Sequence, residues 1–207
     1  HQLHRRQRQM CIRDRKGTPP IDLLVVMPNR KKPSPAFVAI NFCGNHTALE
    51  DSSVALTRSW YRGSCPGCEG DKATEAGRGG QKDVWNVEMI IDRGYGIAMF
   101  YYGDVDPDIR KPENWTDGVH PHFMKPGQTK PGKHEWGAIA SWAYGIHRAV
   151  DYMVTDPAID AKRIACVGHS RLGKTTLLAT ALDDRIALAI PHQACLLYTS
   201  DAADDGV

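Results

Sequence analysis

The sequence lacks a long apolar run and a strong charge of either sign. None of its hydrophobic stretches approaches the about 20 residues that span a membrane. Its first residues are polar and basic, without the apolar core of a secretory signal. The formal net charge is only +2 over 207 residues, which is too little to indicate a nucleic-acid surface. We therefore expect neither a membrane nor a nucleic acid as a partner.

The two ends of the chain differ in character from the rest. Residues 1–15 (HQLHRRQRQMCIRDR) have no apolar periodicity, and we expect them not to pack. Residues 196–207 (LLYTSDAADDGV) follow an abrupt change in composition. Both ends resemble translated sequencing-adapter read-through, so we interpret 1–15 and 196–207 as artefacts and exclude them from fold reasoning.

The six cysteines do not form an obvious disulfide framework. Cys11 and Cys195 lie in or beside the excluded ends. Cys43 and Cys166 fall in apolar segments and are predicted to be ordinary buried thiols. The segment Cys65-Pro-Gly-Cys68 supplies two ligands where a structural zinc site takes four. We therefore predict a local disulfide or a free pair between Cys65 and Cys68.

Two groups of side chains invite a metal assignment. Three aspartates alternate after one predicted strand, and three histidines lie in the long loop at 109–134 that follows. They are Asp104, Asp106, Asp108, His120, His122 and His134. The aspartates lack the glycine and glutamate of an EF-hand loop, and the histidines lack a helix that would bring them to an acid. We expect solvated turn carboxylates or partners of nearby arginines, and neither a metal nor a cofactor.

Apolar segments alternate between strand-like and helix-like spacing in the order of an α/β fold. Continuous apolar runs predict strands at 21–27, 36–42, 95–102, 163–167 and 186–190. Three- and four-residue spacing predicts helices at 81–93, 135–155 and 171–182. The first two strands are expected to be paired as a hairpin or adjacent. Strand–helix–strand alternation with apolar strands predicts a parallel sheet covered on both faces.

The segment 163–177 (RIACVGHSRLGKTTL) carries the chemistry. It is predicted as a short buried strand, a tight turn and the start of a helix. As Gly168-x-x-x-x-Gly173-Lys174-Thr175 it fits a phosphate-binding P-loop. As a strand–Gly-x-Ser–helix turn it fits the nucleophile elbow of an α/β-hydrolase, with the second glycine one place late.

The surrounding sequence favours the elbow. A P-loop protein needs a later strand that ends in Asp for its Mg²⁺, whereas the remaining strand ends in Pro191-His192. In an elbow, Ser170 would be the exposed nucleophile at a helix N-terminus. Arg171 would add a positive charge beside the tetrahedral intermediate, and Lys174, one turn later, would reach the substrate.

The string GHSRLGK at 168–174 resembles the signature of the bacterial glucuronoyl esterases, carbohydrate esterase family fifteen. Four further strings occur in the order that this family shows: NFCGNHT at 41–47, RGYG at 93–96, YYGDVDPD at 101–108 and EWGAIASW at 135–142. The resemblance covers about residues 18–194, and Cys43 replaces the family's usual aromatic residue. It implies an α/β-hydrolase three-layer sandwich. Residues 16–195 would be its N-terminal part, truncated after the elbow helix and the next strand.

The resemblance also implies an activity and roles for three residues. The family hydrolyses esters between 4-O-methyl-glucuronate on xylan and lignin alcohols. Ser170 would be the nucleophile, Arg171 would support the oxyanion, and Lys174 would hydrogen-bond uronate hydroxyls. The full-length enzyme is expected to be a secreted or periplasmic monomer without a cofactor, acting on a glucuronoxylan–lignin ester. In α/β-hydrolases the loop after an early strand also lends an oxyanion N–H, and here Asn45 and His46 would either shape that loop or only cap a turn.

A catalytic base and acid are missing from these predictions. In α/β-hydrolases both follow the serine in the chain, and after Ser170 the sequence offers only His192 as a histidine. The family's histidine lies much further along, so His192 is not assigned. We therefore predict an inactive piece of an active enzyme. Another esterase of this fold, such as an acetyl xylan esterase, and a P-loop nucleotide binder stay as alternatives.

Overall fold

The protein is described by a computed structural model that covers residues 5–12, 17–109 and 115–194. Its strands are β1 (Arg5–Ile12), β2 (Ile21–Pro28), β3 (Ser34–Asn41), β4 (Cys68–Glu69), β5 (Lys72–Ala73), β6 (Gly96–Tyr101), β7 (Ile159–His169) and β8 (Ile186–His192). Its α-helices are α1 (Lys82–Trp85), α2 (Val87–Asp92), α3 (Ala138–Met153) and α4 (Arg171–Ala181). Short 3-10 turns lie at Asn45–Thr47, Glu75–Gly77, Tyr102–Asp104 and His120–His122.

A six-stranded mixed sheet has the order β1-β2-β6-β3-β7-β8, and β4 and β5 form a separate ribbon. The strands β6, β3, β7 and β8 run parallel to one another, whereas β2 pairs antiparallel with both β1 and β6. Because parallel strands end at the same edge, the loops after β3, β6, β7 and β8 converge there. Ligands of open α/β sheets bind outside that edge.

Helices cover the sheet on both faces. The helices α3 and α4 pack against each other and against β3, β7 and β8, while α2 packs against β2 and β6. The apolar stripe that predicted α3 faces the core, and Trp142, Ile146 and Val150 are each at most 1% exposed. The predicted α/β layering is confirmed.

The strands β2 and β3 are not paired, and the expected hairpin or adjacent pairing is wrong. The strand β6 lies between them, antiparallel to β2 and parallel to β3. All six residues of β6 are buried, so this strand needs a neighbouring strand at each edge and a covering layer on each face. If β2 and β3 were paired with each other, β6 could not lie between them.

The predicted helix at 81–93 is two short helices, α1 and α2, that meet at Asn86. This residue has φ 40° and ψ 52°, the left-handed conformation, which asparagine tolerates better than most residues. Its side chain accepts a hydrogen bond from the Met89 amide at 3.3 Å and so caps α2. The apolar spacing was therefore correct, but the capping signal of Asn86 inside it was missed.

The expectation that residues 1–15 do not pack is wrong for the residues that the structure describes. All eight residues of β1 pair with β2, from Arg5 opposite Pro28 to Ile12 opposite Ile21. A polar segment suits this place, because an edge strand faces solvent and needs only backbone pairing on one side. The artefact interpretation of 1–15 stays a prediction, and 196–207 lies outside the described residues. Within the described ranges, no helix is both long and apolar enough to cross a membrane.

Candidate active site

Ser170 lies on a sharp turn between the last residue of β7 and the first residue of α4. Its φ of 56° and ψ of −123° are uncommon for a residue with a Cβ and indicate local strain. Its amide donates to the His192 carbonyl at 2.8 Å, and its carbonyl accepts from the Lys174 amide at 3.1 Å. A half-buried serine on a strained strand-to-helix turn is the geometry of a nucleophile elbow.

Two glycines make this turn sterically possible. A Cβ on Gly168 would lie 2.4 Å from the Leu172 carbonyl oxygen and 2.7 Å from Thr176 Oγ1. A Cβ on Gly173 would lie 3.1 Å from the His192 carbonyl oxygen. The first glycine therefore lets α4 fold back onto β7, and the second lets α4 approach the end of β8. The late position of Gly173 in the motif is thus explained by packing.

The first turn of α4 brings the predicted site residues together. A helix begins with N–H groups that have no intrahelical acceptor and with the positive end of its dipole. Here that end is at Arg171, directly after Ser170. Lys174 follows one turn later and is partly exposed. The helix N-terminus and both cationic residues, Arg171 and Lys174, therefore follow Ser170 within one helical turn.

The guanidinium group of Arg171 is held by groups from three other segments. Its Nη1 donates to Asp108 Oδ2 at 2.5 Å, and its Cζ lies 5.8 Å from the centroid of the Phe42 ring. Arg62 approaches the same ring at 5.7 Å and the same carboxylate oxygen at 3.9 Å. Tyr102 donates its hydroxyl to that oxygen at 3.5 Å. Asp108 is thus an arginine partner, but its arginines are distant in the sequence and not the local ones that were expected. Phe42 and Arg62 carried no signal in the sequence.

Asp104 is buried, so the expectation of a solvated turn carboxylate is wrong for it. Its side chain accepts hydrogen bonds from Thr57 Oγ1 at 2.9 Å and Ser59 Oγ at 2.7 Å. Burial raises the pKa of this carboxyl to about 6, although the two hydroxyl donors act in the opposite direction. These hydroxyls replace water and tie the segment at 57–59 to the end of β6.

Asp106 is also buried, at 2% exposure, and the same correction applies. Its Oδ2 lies 3.4 Å from His120 Nδ1, and its carbonyl accepts from Trp142 Nε1 at 2.9 Å. The His120 ring is enclosed between Trp136 and Trp115, at centroid distances of 4.4 and 4.5 Å. His120 is thus a packed histidine. In the part of the chain that the structure describes, no group of three or more His, Cys, Asp or Glu side chains is arranged to hold a metal ion.

The cysteines pair differently from both predictions. Cys43 and Cys65 form a disulfide, with Cα atoms 5.3 Å apart, and Cys68 is a free thiol. The loop after Tyr61 turns back over the end of β3, which brings Cys65 to Cys43 and away from its near neighbour in sequence. Cys166 is a buried free thiol as predicted, and burial raises its pKa to about 12.

The loop after β3 is braced from inside. Asn45 accepts a hydrogen bond from Asn41 Nδ2 at 2.9 Å and donates to the Asp22 carbonyl at 2.7 Å. His46 is fully buried, and burial lowers its pKa to about 4. Both side chains therefore shape this loop from within rather than merely cap an exposed turn.

His192 lies beside the elbow, but the described residues do not set it up as a base. Its Nδ1 is 3.0 Å from His169 Nδ1, and both rings are exposed. Among residues 5–12, 17–109 and 115–194, no carboxylate is hydrogen-bonded to either ring, and a triad histidine needs such a partner. The pairing of His169 with His192 was not foreseen, because it requires the parallel register of β7 and β8.

Comparisons with known proteins agree with this geometry. A family model described as glucuronyl esterase of fungi matches residues 130–196. A carbohydrate esterase from an unknown prokaryotic organism is 43% identical over 190 residues, 91% of this chain and 43% of that protein. A 4-O-methyl-glucuronoyl methylesterase of Neurospora crassa is 44% identical over 64 residues, 30% of this chain and 16% of that protein.

Two solved structures are similar over most of the chain. A glucuronoyl esterase from Solibacter usitatus has a TM-score of 0.77 at 38% identity, over 87% of this chain and 45% of that chain. An esterase of carbohydrate esterase family 15 from a marine bacterial metagenome has a TM-score of 0.76 at 42% identity, over 90% of this chain and 46% of that chain. These structures confirm the predicted α/β-hydrolase fold. The chain spans less than half the length of these relatives.

Proposed function

We propose that the chain is part of a glucuronoyl esterase-type protein of carbohydrate esterase family 15, and that the full-length protein is a serine esterase that cleaves 4-O-methyl-glucuronoyl esters between xylan and lignin alcohols. The observation that carries this proposal is the strained turn at Ser170, with φ 56°, at the N-terminus of a helix that begins with Arg171. The names of the relatives supply the substrate class, since fungal relatives are called 4-O-methyl-glucuronoyl methylesterases.

The proposed reaction proceeds through an acyl-enzyme. Ser170 Oγ attacks the C6 carbonyl of the uronate ester, and its proton passes to a base that the described residues do not supply. The tetrahedral intermediate collapses, the alcohol leaves with a proton, and water then hydrolyses the acyl-enzyme to the uronate and free Ser170. Because the reaction has two alternating half-steps, the base must lie within reach of Ser170 and of the attacking water.

Arg171 and the start of α4 would stabilise the oxyanion. Oriented N–H donors that act only on charge in the transition state contribute about 100- to 1000-fold each, and a guanidinium donor carries a full charge in addition. Arg171 is the first residue of α4 and directly follows Ser170, and its guanidinium group is held by Asp108. Lys174, one turn further, would hydrogen-bond uronate hydroxyls and affect binding more than the chemical step.

The P-loop alternative finds no support in the geometry. A P-loop wraps phosphate with backbone N–H groups in an open glycine-rich loop. Here a Cβ on Gly168 would lie 2.4 Å from the Leu172 carbonyl oxygen and 2.7 Å from Thr176 Oγ1, so this glycine serves the close packing of the helix against the strand. The strand β8 ends at His192 and offers no Asp for Mg²⁺. Tight ATP binding by the full-length protein that is lost in Lys174→Ala would contradict this conclusion.

An extracellular location and a monomeric state are also part of the proposal. The substrate is a cell-wall polymer, which a cytoplasmic enzyme cannot reach. The disulfide between Cys43 and Cys65 supports an oxidising compartment, because cytosolic proteins rarely keep such bonds.

The substrate class is tested by competition between two esters. The purified full-length protein would be assayed on benzyl glucuronate and on acetylated xylan, at matched ester concentrations. We expect benzyl glucuronate to be hydrolysed with the higher kcat/KM. A clear preference for acetylated xylan would favour the acetyl xylan esterase alternative. Hydrolysis of neither ester would reject the proposed function.

A further inference from the structure

We propose that Asp108 is the positioning residue for Arg171, and that Phe42 and Arg62 complete a cradle that aims the Arg171 guanidinium at the oxyanion. This inference rests on the proposed function of Arg171. It assigns a function to a carboxylate that lies 63 positions away in the sequence and on a different loop. The four residues come from four segments that meet only at the carboxyl edge of the sheet.

The contacts that Asp108 makes with the described residues converge on one oxygen. Its Oδ2 accepts from Arg171 Nη1 at 2.5 Å and from the Tyr102 hydroxyl at 3.5 Å, and Arg62 Nη1 lies 3.9 Å away. The Asp108 side chain is 22% exposed, compared with 40% for Arg171. The carboxylate is thus the more enclosed partner, and the arginine is the one more open to solvent and to a ligand.

A catalytic arginine needs such an anchor because its side chain is long and flexible. Its charge helps the transition state only if the guanidinium is already in place. Arginine has five N–H donors in a rigid plane. The Nη1 bond to Asp108 uses one of them and fixes the direction of the group. The Phe42 ring, 5.8 Å from Cζ, limits its rotation. Among residues 5–12, 17–109 and 115–194, no group is hydrogen-bonded to Nη2 or Nε, so these donors can serve the substrate.

Arg62 prevents Asp108 from simply cancelling the charge of Arg171. A carboxylate that pairs with one arginine lowers the positive potential which that arginine offers to an oxyanion. Arg62 adds a second cation beside the same oxygen and on the same aromatic ring. The cluster of Arg62, Arg171 and Asp108 therefore contains two guanidinium groups and one carboxylate, and it retains a net positive charge.

The first test removes the anchor in the full-length protein. Asp108→Ala is expected to lower kcat on benzyl glucuronate about 10- to 100-fold and to change KM less than about threefold, because the lost interaction acts mainly in the transition state. Asp108→Asn keeps one acceptor and should lose less than Asp108→Ala. Asp83 is an exposed carboxylate on α1. The variant Asp83→Asn is therefore the matched control and should leave kcat unchanged. If KM of Asp108→Asn rises by the same factor as its kcat falls, while its melting temperature is unchanged, the positioning role is contradicted.

The second test asks whether Asp108 acts through Arg171. In an Arg171→Ala background the anchor has nothing to hold, so adding Asp108→Ala should cost less than about twofold. Guanidinium ion at a concentration below that which denatures the protein should partly restore kcat of Arg171→Ala, but not of Arg171→Ala with Asp108→Ala. If Asp108→Ala lowers kcat by the same factor in both backgrounds, the inference is wrong.

The same four proteins, namely the unmutated protein, Asp108→Ala, Arg171→Ala and the double variant, are also assayed on p-nitrophenyl acetate. This assay separates the inference from the proposed function. An unmutated protein that hydrolyses the acetate but not benzyl glucuronate would reject the proposed substrate. The coupling between Asp108 and Arg171 would then be measured on the acetate, whose intermediate has the same oxyanion. Coupling on the acetate would support positioning, and additive losses there would overturn it.

Discussion

Cys43 and Cys65 are joined by a disulfide that links the end of β3 to the loop carrying Arg62. Cys43 directly follows Phe42, whose ring lies under both Arg62 and Arg171. The bond therefore holds two parts of the arginine cradle together, the ring and the second guanidinium. The effect of a cysteine replacement should consequently appear both in stability and in the site.

Replacement of Cys65 by Ser in the full-length protein should destabilise it by about 3 kcal/mol, since the disulfide closes a loop with a sequence separation of 22. The free energy of unfolding in urea would be measured under oxidising conditions. Cys68→Ser is the matched control, because Cys68 is a free thiol three residues away, and it should change stability much less. A loss for Cys68→Ser equal to that for Cys65→Ser would mean that these two cysteines are paired instead.

Replacement of Gly168 by Ala should destabilise the elbow. The new Cβ would lie 2.4 Å from the Leu172 carbonyl oxygen, and overpacking of this kind costs about 1–3 kcal/mol or more. Gly63→Ala is the control, because a Cβ there would have no heavy atom within 4 Å. Melting temperatures of the two variants should differ clearly. A Gly168→Ala protein as stable as Gly63→Ala would show that α4 does not fold back onto β7 as described.

His46 and Asp104 should give opposite dependences of stability on pH. Burial lowers the pKa of His46 from 6.5 to about 4. The folded state therefore binds fewer protons than the unfolded state between these values, and stability falls as pH drops through that window. Burial raises the pKa of Asp104 from 3.8 to about 6. Here the folded state binds more protons, so stability falls as pH rises through that window.

The two contributions overlap between about pH 4 and 6 and largely cancel, since each amounts to about 3 kcal/mol. Asp104→Asn should uncover the His46 contribution, so unfolding in urea should become harder from pH 4.5 to pH 6.5. His46→Gln should uncover the opposite slope. Asp184 is an exposed carboxylate, so Asp184→Asn should keep the pH profile of the unmutated protein. If the stability of all three variants changes with pH in the same way, the shifted pKa values of His46 and Asp104 are contradicted.

Local features of the chain were predictable because their physical cause is local. The glycines around Ser170 and the apolar run before it predict a strand, a sharp turn and a helix, and the structure has all three. The stripe on α3 likewise predicts its buried face. Asn86 shows the limit of this reasoning, because the helical spacing continues through a residue whose left-handed conformation divides the helix.

Features that depend on distant pairing were not predictable from one sequence. The strand β6 lies between β2 and β3 because it is buried on both faces. A run of apolar residues in the sequence does not show whether a strand is central or at the edge of the sheet. The partner of Cys65 is determined by the path of a loop, not by the nearby Cys68. The contact of Asp108 with Arg171 likewise requires the order of β6, β3 and β7 in the sheet.

The central claim is that Ser170 is the nucleophile of a glucuronoyl ester hydrolase. The most direct measurement is kcat for benzyl glucuronate in the full-length protein and in Ser170→Ala, together with a mass spectrum of the protein stopped during turnover. We expect Ser170→Ala to lower kcat by at least about 10⁴-fold, as loss of a triad nucleophile does, and the unmutated protein to carry a uronoyl group on Ser170. Turnover by Ser170→Ala at a rate close to that of the unmutated protein, or the acyl group on another residue, would contradict the claim.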